Sequence, residues 1–414
     1  MVAVTSGSAW LTGRTLLGRE GGQPGGRRKP DSALPPTIPR MANTYDICIR
    51  GAGIVGRTLA LLLARERLRV ALVAPAGSAP VNASGHGDVR AYALNAASRA
   101  VLESLRCWPP EVSATPVLRM DVQGDDGGSV RFDASEQGSA ALTWIVDVPA
   151  LEGQLADAVR FQPLIEVMDV PAEAALTVVC EGKSSRTRAE FGVDFNVKPY
   201  GQHAIATRLS TERPHGQTAW QWFSKGEILA FLPLGGPQGN SVAVVWSVPH
   251  ERVPDLLAAS PEDFALMLEN ASHHTLGRLT LQGERASWPL QLARAARWVG
   301  PGWALAGDAA HTVHPLSGQG LNLGLADVAA LSQVLQARED WRSPGDLKLL
   351  RRYERARQAD VLSTGLATDG LQQLFSLAGG PAQALRNWGM SSFDRSGPLK
   401  GWVARRAMGT PSGI

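Results

Sequence analysis

Cysteine is scarce in this 414-residue sequence, which has three cysteines, widely separated and without a CxxC spacing. A disulfide framework or a thiolate metal site needs cysteines in pairs or clusters, so both are excluded and a reducing compartment is indicated. Long apolar runs are also missing, since no stretch approaches the roughly 18–20 residues that cross a bilayer. The N-terminus lacks the apolar region of a signal peptide. We expect no metal site and a cytoplasmic location, with at most a peripheral position at the inner membrane.

A surplus of one charge is absent over most of the chain. Of the 41 Lys and Arg and the 38 Asp and Glu, six bases and two acids fall in residues 1–40, so the other 374 residues hold 35 bases and 36 acids. A neutral body has no broad basic face, which argues against nucleic acid as a partner. Residues 1–40 also contain seven Gly and five Pro without any periodicity. We interpret them as a disordered or non-native extension.

What the sequence does contain is a βαβ start. Apolar residues make up 44% and charged residues 19%, which is typical of a packed globular protein. The period of the apolar residues predicts a strand over Tyr45–Arg50, a helix over Arg57–Arg67 and a second strand over Arg69–Val73. Such a unit begins a Rossmann-like frame with a parallel sheet.

The middle of the chain has a different pattern. One predicted helix, from Pro261 to about His274, interrupts several β-rich stretches over 195–290, and beyond about Leu325 the pattern is helical. The β-rich stretches are His203–Leu209, Ala219–Phe223, Ile228–Leu234 and Ser241–Val248. The predicted fold class is α/β: a Rossmann-like domain with an inserted antiparallel β-sheet domain and C-terminal helices.

A glycine fingerprint follows the first predicted strand at once, with Gly51, Gly53 and Gly56 in the spacing GxGxxG. The first glycine makes a tight turn, the second lets the backbone approach a pyrophosphate, and the third lets the helix pack closely on the strand. GxGxxG alone is a weak signal, but here it lies between a strand and a helix, which is the required context. The sequence therefore predicts dinucleotide binding. The alternative is a glycine turn in an unrelated α/β protein.

One component of this fingerprint is missing. An acid about 20 residues further on, at the end of the second strand, normally binds the ribose hydroxyls. Here the strand ends in Ala74 and Pro75, whose side chains accept no hydrogen bond. Another group must bind the ribose, or adenosine is bound more weakly.

A second glycine-rich segment covers residues 303–327. A strand ends at Gly307-Asp308, a loop containing Gly318 follows, and a helix begins near Gly320. Backbone N–H groups and a helix N-terminus then face one spot, which suits a developing negative charge. Asp308, at a strand end, is placed to bind ligand hydroxyls. The alternative, that these glycines only make turns, is disfavoured by the length of the run.

The run 307–324 resembles, almost residue for residue, the FAD ribitol motif of the class A flavoprotein monooxygenases, and most closely that of the UbiH-type ubiquinone-biosynthesis hydroxylases. Weaker similarities to the same family lie at 88–94, 232–234, 245–247, 353–357 and 369–375. The resemblance covers about residues 45–410. It implies FAD as cofactor and NAD(P)H as reductant. In this family a flavin hydroperoxide, formed with dioxygen, delivers a hydroxyl group to an activated aromatic ring.

The resemblance also implies site residues. The glycine turn would hold the pyrophosphate, with Arg90 nearby as counter-charge, and Asp308 would bind the ribitol. The loop 318–322 would stabilise negative charge on the reduced flavin. The cofactor-binding residues are then Gly51, Gly53, Ile54, Val55, Gly56, Arg90, Asp308, Pro315, Gly318, Gly320, Leu321 and Asn322. Glu181 and Arg188 would lie at the cofactor entrance.

The segment Glu181–Arg188 resembles the family's third motif, Asp-Gly-x-x-Ser-x-x-Arg, with glutamate in place of aspartate. The preceding stretch, Leu151–Cys180, is too short for a full three-stranded meander. These differences and Ala74 motivate one alternative function, a non-catalytic family member that is a structural partner in a biosynthetic complex. The other alternative is a hydroxylase of a small soluble phenol. The leading prediction is hydroxylation of a hydrophobic polyprenyl phenol in ubiquinone biosynthesis, with other proteins of that pathway as candidate partners.

No side chain is assigned as a catalytic residue. His311 and His314 are candidate bases by residue type, but structural hydrogen bonding beside the flavin is the favoured interpretation. Trp220, Trp222 and Trp246 are candidates for a substrate pocket. The segment Leu399–Met408 is a candidate membrane-surface contact, with a solvated final helix as the favoured alternative.

The resemblance predicts that three segments of an FAD-binding domain alternate with two segments of a substrate domain. The predicted FAD-binding segments are 41–110, 146–195 and 291–342, and the predicted substrate-domain segments are 111–145 and 196–290. The N-terminal extension is 1–40, and a C-terminal helical region covers 343–414.

Overall fold

The computed structural model describes residues 45–74, 89–124, 128–313 and 319–376, with the single residues 396 and 401; for 363–376 it describes the backbone only. Several sequence predictions lie outside the described residues: the extension 1–40, His314, Pro315, Gly318, and the segment 399–408 apart from residue 401. They stay predictions.

The described strands are β1 (Tyr45–Arg50), β2 (Val70–Val73), β3 (Ala91–Leu94), β4 (Ala114–Val117), β5 (Arg119–Gln123), β6 (Ser129–Asp133), β7 (Thr143–Asp147), β8 (Ile165–Met168), β9 (Ala174–Val179), β10 (Phe195–Thr211), β11 (Thr218–Ser224), β12 (Glu227–Leu234), β13 (Ser241–Pro249), β14 (Leu279–Leu281), β15 (Ala286–Ala295), β16 (Val299–Gly300), β17 (Trp303–Leu305) and β18 (His311–Thr312). The described α-helices are α1 (Ile54–Arg65), α2 (Ala96–Ser104), α3 (Val148–Arg160), α4 (Arg186–Glu190), α5 (Val253–Ala258), α6 (Pro261–Ala271), α7 (Gln319–Gln336) and α8 (Leu347–Ser376).

A six-stranded sheet forms the frame, in the order β16-β17-β9-β1-β2-β8, with every pairing parallel except that of β16 with β17. Helix α1 begins at Ile54, three residues before the predicted start, because Gly53 is extended and caps it. It ends two residues early, where Arg67 takes a left-handed φ of 61°. Apolar side chains of β1, β2 and β9 pack with α1, α3 and α7 in the main core.

The other face of this sheet is covered differently. A small cluster that includes Cys48, Ala71 and Val73 packs there against Ala172 and Ala174. The stretch between α3 and β9 contains β8 and no meander, and β8 joins β9 through residues 169–173 alone. A short connection therefore crosses this face, because the chain has too few residues for additional strands.

A nine-stranded sheet forms the second layer, in the order β18-β15-β10-β13-β12-β11-β5-β6, with β14 on β10. Its pairings are antiparallel except that of β11 with β5. Helix α6 begins at Pro261 as predicted, after a cap at Ser260. It ends at Ala271, before the predicted end, because His273 and His274 take left-handed φ values of 51° and 52°. The predicted α/β class, a parallel frame with an inserted and largely antiparallel sheet, is confirmed.

The two faces of the nine-stranded sheet have different neighbours, and this corrects the predicted tryptophan pocket. Trp222 and Trp246 are both 3% exposed and lie in the core beneath α5 and α6, with Trp220 packed beside them. Trp222 contacts Phe231, and Trp246 contacts Phe264. These three tryptophans therefore face away from the cofactor frame, since strand alternation sends the neighbouring side chains to the other face.

That other face packs on a three-stranded sheet, β3-β7-β4, through a small cluster of buried apolar side chains. The three-stranded sheet combines strands from both sides of the predicted boundary at residue 110. The seven-segment division of the chain stays a prediction. None of the helices that the structure describes is long and apolar enough to cross a membrane.

Candidate cofactor site

Two glycines of the fingerprint turn are required by close backbone approach. Gly51 has a φ of 114°, and a Cβ there would lie 2.4 Å from the Cys180 carbonyl oxygen. A Cβ on Gly56 would lie 1.9 Å from the Gly51 carbonyl oxygen. A Cβ on Gly53 would meet no atom within 4 Å. The turn is therefore closed on the protein side and open at Gly53, where a pyrophosphate can approach the backbone.

Val55 connects this turn to the second glycine-rich segment. A Cβ at Gly307 would lie 3.4 Å from the Val55 methyl groups, and a Cβ at Gly324 would lie 2.9 Å from one of them. The preceding residue, Ile54, is buried, and its carbonyl accepts a 2.7 Å hydrogen bond from Thr58. The two motifs, about 250 residues apart in sequence, thus pack directly on each other.

Asp308 lies in the turn that follows β17, after Gly307 with its left-handed φ of 62°. Its carboxylate is partly exposed and makes no hydrogen bond or ion pair with any residue that the structure describes. Burial raises the pKa of Asp308, an effect that His311 and Lys183 oppose. An acid that is half removed from water without a partner is poised to accept hydrogen bonds from ligand hydroxyls.

Asp327, on helix α7, is hydrogen-bonded to the first residue of this turn. From the sequence alone it received no role in the site. Its Oδ2 accepts hydrogen bonds from the Gly307 N–H at 2.9 Å and from His311 Nε2 at 2.6 Å. Its Oδ1 accepts from Arg357 Nε at 2.8 Å. Burial alone would raise the pKa of Asp327, but His311 and Arg357 hold that pKa below its usual range. The available signal was an acid within the Leu- and Ala-rich helix α7.

His311 belongs to the same hydrogen-bond network, through its contact with Asp327. Its ring lies against Trp298, with 4.9 Å between the ring centroids, and the side chain is 2% exposed. Tyr353, from α8, donates a 2.8 Å hydrogen bond to the Leu305 carbonyl beside it. The structure therefore supports the structural interpretation of His311 over a role as base.

Arg188 contacts the other end of the Asp308 turn, at Ala309. Its Nη1 donates to the Ala309 carbonyl and its Nη2 to the Lys183 carbonyl, each at 3.0 Å. The guanidinium lies 3.5 Å from the centre of the Phe195 ring. Only 7% of Arg188 is exposed, and its place at the cofactor entrance stays a prediction. Arg188 is a buried clamp between the third motif and the turn.

Glu181 occupies the position of the aspartate in the family's third motif. Its carboxylate accepts hydrogen bonds from residues of the same segment, 181–188. Ser185 Oγ donates at 2.7 Å and Thr187 N at 3.1 Å, and the carboxylate lies 3.3 Å from Arg50 Nε. Burial raises the pKa of Glu181, but the donors on Thr187 and Ser185 outweigh it and lower that pKa. The longer side chain is thus accommodated, and it organises the 181–188 segment.

The predicted ring-binding loop continues into the first turn of α7, which contains Gly320, Leu321 and Asn322. The first N–H groups of a helix lack partners within the helix and carry its positive pole, so this turn suits an anionic group. The Asn322 side chain serves the fold instead. Its Oδ1 accepts from Ser98 Oγ at 2.7 Å, and its Nδ2 donates to the Ala93 carbonyl at 2.8 Å.

Arg90 precedes β3, and its guanidinium lies 3.7 Å from Glu152 on α3. Its carbonyl accepts a 3.3 Å hydrogen bond from Arg208 on β10. Arg90 therefore lies where the frame meets the nine-stranded sheet, and its role as counter-charge stays a prediction. The structure brings together the glycine turn, Val55, the Asp308 turn and, at Gly324, helix α7.

The fold and this site define a dinucleotide-binding α/β frame covered by a β-sheet. A protein family described as FAD binding domain matches residues 168–363. A ubiquinone hydroxylase of Rhodospirillum rubrum, UbiL, is 33% identical over 408 residues, covering 92% of this chain and 93% of that protein. The 3-demethoxyubiquinol 3-hydroxylase of Escherichia coli is 31% identical, covering 88% of this chain and 98% of that protein.

Solved structures show the same fold. The p-nitrophenol 4-monooxygenase PnpA of Pseudomonas putida superposes with a TM-score of 0.69 at 16% identity, covering 89% of this chain and 99% of that one. The chain belongs to the FAD-dependent ubiquinone-biosynthesis hydroxylases, within the class A flavoprotein monooxygenases. FAD is its cofactor. The described residues fit that group, because the turn is open at Gly53 and the Asp308 carboxylate has no described partner.

Proposed function

We propose that this chain hydroxylates an aromatic ring of a polyprenyl phenol in ubiquinone biosynthesis, with bound FAD, NAD(P)H and dioxygen. FAD would supply the redox chemistry, taking electrons from NAD(P)H and activating dioxygen. Similarity over nearly the full length to two ubiquinone-pathway hydroxylases supports the reaction class. The observation that carries the proposal is the packing of the fingerprint turn against the Asp308 turn through Val55.

The residues of the site would then divide the binding of FAD among them. The backbone around Gly53 would hold the pyrophosphate, and Asp308 would accept hydrogen bonds from ribitol hydroxyls. The first turn of α7 would stabilise negative charge on the reduced ring system. Asp327 and Arg188 are positioning residues, since they fix the Asp308 turn from two sides.

The nine-stranded sheet supplies a candidate substrate surface on its frame-facing side. One row of paired residues crosses the strands β15, β10, β13 and β12. In that order it contains Trp288, Ala204, Ser247 and Ile228. The row ends at Phe223. Beside Trp288, the small side chains at Ala204 and Ser247 leave room for a flat ring, and Ile228 and Phe223 extend the apolar row along the sheet. We propose Trp288 and Phe223, rather than the three tryptophans on the opposite face of the sheet, as the aromatic contacts of the hydrophobic substrate.

The choice of substrate is tested with purified protein reconstituted with FAD. We expect a flavin absorption spectrum and NAD(P)H oxidation that is stimulated by a short-chain polyprenyl phenol, with a hydroxylated product found by mass spectrometry. Equal or greater stimulation by soluble phenols such as 4-hydroxybenzoate would favour the soluble-phenol alternative. A colourless protein that takes up no added FAD would refute both enzymatic functions and favour the structural-partner alternative.

The non-catalytic alternative loses some of its motivation in the structure. Its sequence basis included the replacement at Glu181 and the short stretch before it. Glu181 is fully hydrogen-bonded, and the short connection leaves the parallel sheet intact. Neither difference disrupts the fingerprint turn or the Asp308 turn.

A polyprenyl substrate dissolves in lipid, so we also propose a cytoplasmic protein that associates peripherally with the inner membrane, where other ubiquinone-biosynthesis proteins would be its partners. Helix α8 supports this with four exposed bases at helical spacing: Lys348, Arg351, Arg352 and Arg355. Trp341, just before the helix, is 78% exposed. Bases and an exposed tryptophan suit an anionic lipid surface. Co-sedimentation with anionic but not with neutral vesicles would support the contact, and its absence from both would refute it.

A further inference from the structure

The acid that usually holds the adenosine ribose is missing at the end of β2. Residue 74, which follows β2, is alanine and cannot accept a hydrogen bond through its side chain. The glycine turn beside it keeps the geometry of a dinucleotide site. Adenosine ribose hydroxyls placed there would still need an acceptor, because buried hydroxyls without partners weaken binding.

The neighbouring strand brings another carboxylate to the same place. Strand β8 pairs with β2 in parallel, with Val73 opposite Met168, and the Ala74 N–H donates a 2.8 Å hydrogen bond to the Met168 carbonyl. Asp169 is the first residue after β8 and Ala74 the first after β2, so continuing the register by one residue places them level with each other. Paired strands lie about 4.8 Å apart, and residues that are level with each other point to the same face. A side chain at 169 thus reaches toward the space that an acid at 74 would fill.

Asp169 is available for a ligand. It is exposed and makes no hydrogen bond or ion pair with any other residue that the structure describes. The other acids that the structure describes at this edge of the sheet are already hydrogen-bonded or lie further away. Glu181 is saturated by its own segment. Asp308 follows β17, three strands from β2, which is about 14 Å.

The short connection explains why Asp169 can remain at this edge. Residues 169–173 pass directly from β8 to β9 across the back of the sheet, where Ala172 packs against the small cluster. No additional strand extends β8 beyond Met168. The first residue of the connection is thereby left at the carboxyl edge beside Ala74.

We propose that Asp169 accepts hydrogen bonds from the adenosine ribose hydroxyls of FAD, in place of the acid missing at position 74. The inference deepens the FAD binding on which the proposed function rests. It assigns the ribose contact to the residue that follows β8, the neighbour of β2, instead of to the residue that follows β2 itself.

FAD titration of the apoprotein, followed by flavin fluorescence, tests this assignment. Asp169→Asn should raise the Kd for FAD about tenfold, as expected for one charge-assisted hydrogen bond lost. Asp169→Ala should do the same, and adding Ala74→Glu to that variant should restore most of the affinity. Glu173→Ala, an exposed acid at the other end of the same connection, is the matched control and should leave the Kd unchanged. Circular dichroism of each apoprotein reports folding independently of FAD.

A second titration uses an FAD analogue with 2′,3′-dideoxyadenosine. The unaltered chain and Asp169→Asn should bind this analogue equally, because the hydroxyls that Asp169 contacts are gone. Tight FAD binding by Asp169→Asn, or an equal loss for FAD and the analogue, would overturn the assignment while leaving FAD binding intact. An unaltered chain that binds no FAD would instead refute the proposed function and this inference together.

Discussion

His311 Nε2 lies 2.6 Å from Asp327 Oδ2, and both side chains are almost completely buried. The same carboxylate oxygen accepts a hydrogen bond from the Gly307 N–H, the backbone group that begins the Asp308 turn. A contact between α7 and the segment after β17 therefore fixes the acid assigned to ribitol. The geometry of the Asp308 turn therefore depends on the buried charge of Asp327, which comes from helix α7 and lies outside the turn.

Removing that charge should destabilise the protein strongly. Asp327→Ala removes the fully buried partner of Arg357 and leaves its pair with the exposed Asp360. The loss of one member of a buried ion pair costs about 3–5 kcal/mol. Chemical denaturation of the apoprotein measures this cost. Glu103→Ala removes the exposed pair with Arg99 and is the matched control, with an expected cost below about 1 kcal/mol. Equal costs for the two variants would contradict the assignment.

The pH dependence of stability should follow the same carboxylate. Because the pKa of Asp327 is lower in the folded protein than in the unfolded chain, its contribution is complete above the unfolded value of about 4. The contribution is lost as the pH falls through the folded value. Urea unfolding between pH 7 and pH 3 should show this loss for the unaltered chain, and Asp327→Asn should flatten it. An unchanged slope in the variant would show that other carboxylates dominate.

Asp308→Asn should separate binding from stability. Burial raises the pKa of Asp308, so above that pKa the ionised carboxylate costs stability in the absence of ligand. We expect the variant apoprotein to melt at a higher temperature at pH 7 and its Kd for FAD to rise about tenfold or more, through loss of charge-assisted hydrogen bonds. Full FAD occupancy in this variant at limiting FAD would refute the ribitol role.

The two glycines Gly53 and Gly56 should respond to alanine in opposite ways. Gly53→Ala places its Cβ in open space, so the apoprotein should keep its melting temperature while FAD affinity falls. Gly56→Ala forces a Cβ to 1.9 Å from the Gly51 carbonyl oxygen, so folding itself should fail or weaken greatly. Melting curves and FAD titration of both variants check the pair. Undiminished FAD binding by Gly53→Ala would argue against a pyrophosphate at this turn.

Arg188→Lys keeps the charge but not the geometry. A lysine cannot donate to the Ala309 and Lys183 carbonyls with the same planar fork, so the Asp308 turn should loosen. We expect weaker FAD binding and a lower melting temperature. Saturating FAD should partly restore the melting temperature, because ligand binding stabilises the folded state. Arg186→Lys, nearby on α4 and outside this clamp, is the control. A variant that lowers stability but leaves the Kd for FAD unchanged would remove the positioning role.

Local sequence patterns predicted the frame well for a physical reason. Strand β1 was predicted with its observed bounds, and the predicted β-rich stretches all lie within β10–β13. Alternation and helical periodicity are local properties, so they survive without knowledge of the tertiary fold. Helix ends were less accurate, because left-handed residues such as Arg67 and His273 end a helix without a glycine signal.

By itself, then, the sequence determined the class of the protein. The fingerprint Gly51–Gly56 and the run at 307–324 carry it, since close backbone contacts leave glycine as the only residue that fits at Gly51 and Gly56. Only the tertiary structure decided where the candidate side chains lie and what they contact. In the structure the candidate tryptophans lie on the face of the sheet away from the cofactor frame, and His311 is hydrogen-bonded to Asp327. Strand register also places Asp169 level with Ala74. Those outcomes depend on strand register and on contacts between distant segments, which no local pattern encodes.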